Sequence, residues 1–173
     1  MADYNRNLWA PWRMDYIRSL DEEEKEVGCF LCRYRDEPER DRENHVVWRS
    51  GSAFVVMNRF PYTNGHLLIA HTAHKADITD LTDDQLAEMS RLMRESVALL
   101  RKSVRPQGMN IGYNIGHCAG AGLPGHLHAH VVPRWSGDTN FMAVIGDSRV
   151  VPDALDALYV ELVQNATEAG LRG

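Results

Sequence analysis

Three histidines occupy alternate positions near the end of the chain, at His126, His128 and His130, inside an otherwise apolar run. Alternation with a period of two predicts a β-strand whose one face carries the imidazoles, about 7 Å apart, while the intervening apolar residues pack. Burying three titratable rings without partners is costly, because each ring needs a hydrogen-bond donor and an acceptor. The pattern therefore favours a functional site over an ordinary packed strand.

A glycine-rich loop, residues 114–125, leads directly into this strand. Gly120, Gly122 and Gly125 match a G-x-G-x-x-G pattern, but a dinucleotide-binding motif opens a helix, whereas this loop contains Pro124 and precedes a strand. Glycines still allow backbone N–H groups to approach an anion closely. We expect a phosphate cradle beside the histidines, with an ordinary flexible turn as the alternative.

Imidazoles beside a phosphate have a definite chemistry. A neutral imidazole is a nucleophile when its second nitrogen donates to a carbonyl, and attack on phosphorus forms a phosphohistidine. A second imidazole can neutralise phosphate oxygens or protonate the leaving group, which accelerates such reactions about 10²- to 10⁴-fold. His128 is flanked by a histidine on each side, so it is the best candidate for the nucleophile.

Cys29 and Cys32 form a C-x-x-C pair in the amino-terminal part of the chain. Two thiolates at this spacing are half of a tetrahedral zinc site, and the sequence contains histidines that could complete it. Three cysteines in all suit a metal site or a redox pair better than a disulfide framework. Two buried cysteines that pack as small apolar residues are the alternative.

Hydrophobic periodicity predicts the elements that position these residues. Strands are expected at residues 46–49, 53–57, 66–70, 109–115 and 126–132. Thr82 and Gln85 form a capping-box signature, and the apolar spacing after it predicts a long amphipathic helix over 83–103. Asp153 is expected to cap a last helix that ends near Ala166. The predicted fold class is α+β, with helices against an antiparallel sheet.

Length and charge bound the class of protein. The 173 residues, 44% of them hydrophobic, fit a single domain spanning 1–173, with residues 1–44 as an extension that carries the C-x-x-C pair. The net charge of -5 argues against broad affinity for nucleic acid or anionic membranes. The sequence has neither an apolar stretch of transmembrane length nor a signal-peptide pattern, so we expect a cytoplasmic protein.

These motifs together resemble the histidine-triad (HIT) superfamily of nucleotide hydrolases and transferases. The resemblance rests on the histidine run 126–132, on the block Asn58-Arg59-Phe60-Pro61-Tyr62-Thr63-Asn64-Gly65-His66, and on the Asn-x-Gly pair at 114 and 116. The segments 8–14 and 133–141 resemble the bacterial branch of diadenosine tetraphosphate phosphorylases and hydrolases.

The resemblance implies an activity and a site. It implies a HIT-like antiparallel sheet with a long amphipathic helix, joined across a homodimer, and cleavage of dinucleoside polyphosphates such as diadenosine tetraphosphate through a nucleotidyl-histidine intermediate. By the same resemblance, His128 is the nucleophile and His130 contacts the phosphate. Asn58 binds ribose hydroxyls, Asn114 lies near the α-phosphate, and His66 supports the site.

The resemblance also implies a structural zinc ion with four ligands, Cys29, Cys32, His74 and His126, that ties the amino-terminal segment to the histidine strand. His126 cannot both bind zinc and act on a phosphate. The ligand role is favoured, because a closed structural site needs four ligands. No organic cofactor is expected.

Several alternatives remain open at this point. Hydrolysis and phosphorolysis differ in the second step, in which either water or inorganic phosphate attacks the phosphorus of the nucleotidyl-histidine intermediate. A nucleoside phosphoramidase, a metallohydrolase that uses the three histidines as metal ligands, and a zinc-stabilised nucleotide sensor are the rival functions. His45 and His71 are expected to be surface or loop residues, and no role is predicted for His117, Cys118 or Trp135.

Overall fold

The computed structural model describes residues 28–138 and 155–172. Within them lie a five-stranded sheet and three α-helices. In chain order these are α1 (Phe30–Asp36), β1 (Val46–Ser50), β2 (Ala53–Met57), β3 (Leu67–His71), α2 (Asp83–Ser103), β4 (Gly108–Tyr113), β5 (His128–Arg134) and α3 (Leu155–Glu168). The segment 8–14, residues 139–141 and the expected cap Asp153 lie outside the described residues.

The long helix α2 has the ends that its sequence predicts. The Thr82 hydroxyl accepts the backbone N–H of Gln85 at 3.3 Å, and the Gln85 side chain accepts the N–H of Thr82 at 3.0 Å. This reciprocal capping box satisfies two N–H groups that the first turn would otherwise leave free. In the apolar stripe of the helix, Met89, Leu92 and Leu100 are fully buried, and others of its apolar residues are partly buried against the same core.

All neighbouring strands run antiparallel, in the order β1-β2-β3-β5-β4. His128 of β5 pairs with Ala70 of β3, and His130 pairs with Leu68. Because side chains alternate along each strand, these four residues share one face of the sheet, and Ala129 points to the other. The predicted separation of histidines from apolar residues is therefore confirmed at these positions.

The two faces of the sheet are covered by different elements. On one face, Ala129 packs in a large apolar core with residues of α2 and α3, among them Leu100 and Leu162. On the other face, Leu31 and Tyr34 of α1 pack on a smaller cluster from the sheet. The histidine face is therefore the face opposite the long helix, which leaves room for a site there.

Two local expectations were wrong, and a third was right only in part. β5 begins at His128 rather than His126, since the N–H of Leu127 donates to the carbonyl of Lys75 at 2.6 Å instead of to a neighbouring strand. His71 was expected in a loop or on the surface, but it is a strand residue at 1% exposure, whereas His45 does lie in a turn, as expected, and is buried there at 8% exposure. His71 ends β3 at the centre of the sheet, where its ring is enclosed.

The α+β fold class is confirmed by this architecture. The joining of two sheets across a homodimer stays a prediction. Among the helices of the described ranges, none combines the length and the apolar character needed to cross a membrane.

Candidate active site and candidate metal site

His128 is the first residue of β5 and is 6% exposed. Its Nδ1 atom lies 2.8 Å from the backbone carbonyl oxygen of His126. Since a carbonyl can only accept, Nδ1 carries the proton, and Nε2 keeps a free lone pair. An imidazole in this tautomer can act as a nucleophile through Nε2.

His130 lies beside His128, with 4.9 Å between the ring centroids. Its Nδ1 is 2.9 Å from Nε2 of His66, which is 1% exposed. The ring of Tyr62 covers this pair, with its centroid 4.7 Å from that of His66 and 6.1 Å from that of His130. These contacts fix the ring of His130 on its Nδ1 side and leave Nε2 turned toward the glycine-rich loop.

Burial keeps both strand imidazoles uncharged near neutral pH. Desolvation lowers the pKa of His128 below its usual value, against an opposing hydrogen bond to the His126 carbonyl. Desolvation, with a smaller contribution from the charge of His128, lowers the pKa of His130 to about 4. His128 is therefore unprotonated at neutral pH, which is the form that nucleophilic attack would require.

Asn114 connects the glycine-rich loop to the histidines. Its Nδ2 donates to the carbonyl of Gly120 at 3.3 Å and lies 3.5 Å from Nε2 of His130. An amide N–H group beside this imidazole nitrogen suits an anionic oxygen that accepts from both.

The loop itself depends on two glycines with left-handed backbone, Gly116 at φ 78° and Gly120 at φ 87°. The N–H of Gly120 donates to the carbonyl of His117 at 2.9 Å, so it is engaged inside the loop. A Cβ atom on Gly122 would meet nothing within 4 Å, which indicates open space there. Roles for Gly120 and Gly122 in holding a phosphate stay predictions.

A second group of side chains lies at the start of β5. One donor atom from each of Cys29, Cys32, His74 and His126 lies within 4.8 Å of the others. Sγ of Cys29 is 3.1 Å from Nδ1 of His126, and Sγ of Cys32 is 3.3 Å from Nδ1 of His74. Tetrahedral zinc holds a thiolate and an imidazole about 3.5 Å apart, so two sulfurs and two nitrogens here fit a structural zinc site.

Helix α1 presents the two cysteines on one turn. Cys29 is its N-cap, and its sulfur accepts the N–H of Cys32 at 3.4 Å. Burial and the neighbouring Cys32 thiol raise the pKa of the Cys29 thiol to about 11, although backbone hydrogen bonds oppose this. Without a cation nearby, the Cys29 thiol therefore stays protonated at neutral pH, and a bound metal ion would be needed to stabilise its thiolate.

His126 belongs to this second group by its hydrogen bonds. Its Nε2 lies 2.7 Å from the carbonyl of His71, so Nε2 carries the proton and the Nδ1 lone pair faces the cysteine sulfurs. Both ring nitrogens are thus engaged, and neither is left for a phosphate beside His130.

Sequence reasoning missed two contributors to these sites. Tyr62 lies in the block that contains Asn58 and His66. An aromatic residue four positions before His66 could have indicated a ring that packs on this histidine. The carbonyl of His71 orients His126, and no side-chain pattern reports the direction of a carbonyl.

Comparison with known proteins gives the family. A model of the HIT domain matches residues 39–137, more than half of the chain. The AP-4-A phosphorylase of Mycobacterium tuberculosis is 35% identical over 156 residues, which cover 88% of this chain and 80% of that protein. The chain belongs to the HIT domain family, and this relationship supports a nucleotide-processing enzyme.

Solved structures agree on the fold. A zinc-bound histidine triad family protein from Mycobacterium smegmatis superposes with a TM-score of 0.68 at 24% identity, covering 84% of this chain and 97% of that one. An ADP-glucose phosphorylase from Arabidopsis thaliana gives a TM-score of 0.67 at 16% identity, covering 91% of this chain and 50% of that one. At these identities the likeness establishes the shared architecture alone.

Proposed function

We propose that this protein cleaves dinucleoside polyphosphates, with diadenosine tetraphosphate as the leading substrate, through a nucleotide bound covalently to His128. One observation carries the proposal: the Nδ1–H of His128 donates to the His126 carbonyl, so Nε2 is an unprotonated nucleophile beside a second imidazole and a glycine-rich loop. The 35% identical relative is named an AP-4-A phosphorylase, which supports this substrate class.

In the first step, the lone pair of His128 Nε2 attacks the α-phosphorus. A P–N bond forms as the P–O bond to the rest of the substrate breaks, and the leaving polyphosphate takes the bonding electrons. The imidazole then carries a positive charge, which its Nδ1–H shares with the carbonyl of His126. His130 and Asn114 donate to the non-bridging oxygens, where negative charge is concentrated in the transition state.

In the second step, an acceptor oxygen attacks the same phosphorus and the P–N bond breaks, which returns the lone pair to Nε2 of His128. Water as acceptor gives AMP and releases a proton. Inorganic phosphate as acceptor gives ADP. Gly120 and Gly122 border the path to the phosphorus, so the shape of this loop selects between the two acceptors.

The nucleoside is held apart from the reacting phosphorus. Asn58 lies next to His66 and is proposed to bind the ribose hydroxyls of the nucleotide. We propose that the active protein is a homodimer whose sheets join across the interface, as the family resemblance implies. Neither nucleic acid nor a membrane is proposed as a partner.

The metallohydrolase alternative requires His126, His128 and His130 to face one metal ion. His126 is directed to the cysteines, and Nδ1 of His128 is bound to a carbonyl. This arrangement favours nucleophilic over metal-assisted chemistry at the three histidines.

A structural zinc ion held by Cys29, Cys32, His74 and His126 is part of the proposal. When bound, zinc supplies a rigid cross-link between α1 and the start of β5, and it takes no part in bond cleavage. The two sulfur and two nitrogen donors within 4.8 Å of one another support it.

Product analysis tests the proposed reaction. Diadenosine tetraphosphate is incubated with the protein, with and without inorganic phosphate, beside His128→Ala protein as a control. ADP plus ATP formed only with phosphate, or AMP plus ATP formed without it, would support nucleotidyl transfer and identify the acceptor. No turnover of this substrate, with cleavage of a nucleoside phosphoramidate instead, would replace it with the phosphoramidase alternative.

A further inference from the structure

The side-chain amide of Asn58 has a fixed orientation. Its Oδ1 accepts the backbone N–H of Phe60 at 3.0 Å, so the NH2 end must point the other way. That NH2 group lies 3.2 Å from Nδ1 of His66. Asn58 therefore donates to His66, because the other end of the amide is already committed to the turn.

His66 receives a second donor at the same nitrogen. The backbone N–H of Tyr62 donates to Nδ1 of His66 at 3.2 Å. A nitrogen that accepts from two donors cannot carry a proton itself. The proton of the neutral His66 ring is consequently on Nε2.

The tautomer of His66 in turn determines that of His130. Nε2–H of His66 faces Nδ1 of His130 at 2.9 Å, so Nδ1 of His130 must accept. A neutral His130 then carries its proton on Nε2. This N–H is the group that lies beside Asn114 and the glycine-rich loop, where the phosphate of the proposed reaction binds.

We infer that Asn58 is a positioning residue. Its amide begins a chain of hydrogen bonds that runs through His66 to His130, and this chain fixes the proton order, that is, which ring nitrogen of each histidine carries the proton. As a result, His130 presents an N–H donor to the phosphate. This role rests on the proposed function and is additional to the ribose contact that the family resemblance implies for Asn58. Asn58 acts through His66, whereas His130 is the group that touches the substrate.

The proton order matters because His130 is uncharged. Burial lowers the pKa of His130 to about 4, so near neutral pH its ring has a single N–H. In one tautomer this N–H meets the phosphate, and in the other a lone pair meets the phosphate oxygens and repels them. Asn58 and the Tyr62 backbone select the productive tautomer without adding a charge.

Nitrogen NMR of the histidine rings tests the proton order directly, in protein without substrate. Wild-type protein is expected to show an unprotonated Nδ1 and a protonated Nε2 in both His66 and His130. Asn58→Asp keeps an oxygen for the Phe60 N–H but replaces the donor with a carboxylate that only accepts, so Nδ1 of His66 is expected to gain a proton. Arg59→Ala, which changes an exposed side chain bonded to the Glu43 carbonyl, is the control and should leave both rings unchanged.

Kinetics with Asn58→Ala separate positioning from ribose binding. The positioning role predicts a kcat about tenfold lower, because the Tyr62 N–H still biases His66, whereas loss of the ribose contact would raise KM on the native substrate only. The same loss in kcat is expected on an analogue of diadenosine tetraphosphate that lacks the ribose hydroxyls. A rise in KM alone, absent on the analogue, would overturn the inference and leave Asn58 as a ribose ligand.

The NMR experiment tests the inference independently of the proposed function, whereas the kinetic experiment requires turnover. The NMR measurement needs no turnover, so a protein inactive on diadenosine tetraphosphate could still show the expected proton order. An unprotonated His66 Nδ1 that is unchanged in Asn58→Asp would overturn the role of Asn58, whatever the substrate proves to be.

Discussion

The backbone carbonyl of His126 accepts the Nδ1–H of His128 at 2.8 Å, while the ring of His126 faces the sulfur of Cys29 at 3.1 Å. A single residue thus joins the candidate metal site through its side chain to the candidate nucleophile through its backbone. A shift of the His126 backbone would therefore disturb both contacts. The candidate metal site and the candidate nucleophile therefore share this residue.

Zinc removal is expected to destabilise the protein. Protein purified without chelator should contain a single zinc ion per chain, and chelation should lower Tm by about 10 °C or more, because metal binding free energy is folding free energy. Metal analysis and thermal unfolding measure both quantities. Cys32→Ser should show the same loss of metal and of Tm.

Cys118→Ser is the matched control for the metal experiment, since Cys118 is exposed and lies outside the cluster. It should keep both the zinc and the wild-type Tm. Wild-type protein that is free of metal and equally stable before and after chelation would contradict the zinc proposal.

Burial of His130 makes stability depend on pH. The pKa of His130 falls to about 4 in the folded protein from an ordinary value of 6.5. Between these values the unfolded chain binds a proton that the folded protein does not, so the free energy of unfolding decreases as the pH falls through this window. Above 6.5 the penalty is absent.

Denaturant unfolding of wild-type and His130→Gln protein across this range checks the pH effect. Glutamine cannot titrate, so the variant should lose less stability than wild type on acidification. Comparing the two at each pH removes the effect of metal release, which both proteins share. Parallel pH profiles would mean that His130 is not held uncharged in the folded state.

The carboxyl-terminal helix α3 should contribute strongly to stability. Leu162 is fully buried in the core shared with α2, and Leu162→Ala should cost about 2–5 kcal/mol in the free energy of unfolding. Val160 on the same helix is 50% exposed, and Val160→Ala should change stability by less than about 0.5 kcal/mol. Equal effects in chemical denaturation would show that α3 does not pack as described.

Much of the fold was predictable because its signals are local. Thr82 and Gln85 mark the start of α2, and the apolar spacing that follows carries the helix to Ser103. The strand pattern placed His128 and His130 on one face, opposite Ala129. Capping and side-chain alternation depend only on neighbours in sequence, so a single sequence reports them.

What escaped prediction depends on contacts distant in sequence. His126 continues the alternating pattern, yet its ring bonds with a carbonyl 55 residues away and β5 starts after it. His71 is enclosed because β3 lies in the middle of the sheet, which strand order determines and local sequence does not. The hydrogen bond between His66 and His130 joins residues 64 apart for the same reason.

Substitution of His128 should separate binding from chemistry. His128→Ala should reduce turnover of diadenosine tetraphosphate by at least about 10³-fold, because the proposed mechanism depends on His128 as the nucleophile, while nucleotide affinity changes by less than about tenfold. Calorimetry with a product nucleotide measures the affinity. Turnover that survives in this variant would remove His128 from the mechanism.

Nucleotidyl transfer through His128 can be tested by detecting the covalent intermediate itself. Wild-type protein is mixed with diadenosine tetraphosphate, quenched in alkali within the first turnover to preserve the P–N bond, and analysed by mass spectrometry of the intact chain and its peptides. We expect an added nucleoside monophosphate on His128 in the wild-type protein and none in His128→Ala. Rapid cleavage of the substrate with no adduct on any histidine would contradict nucleotidyl transfer through His128.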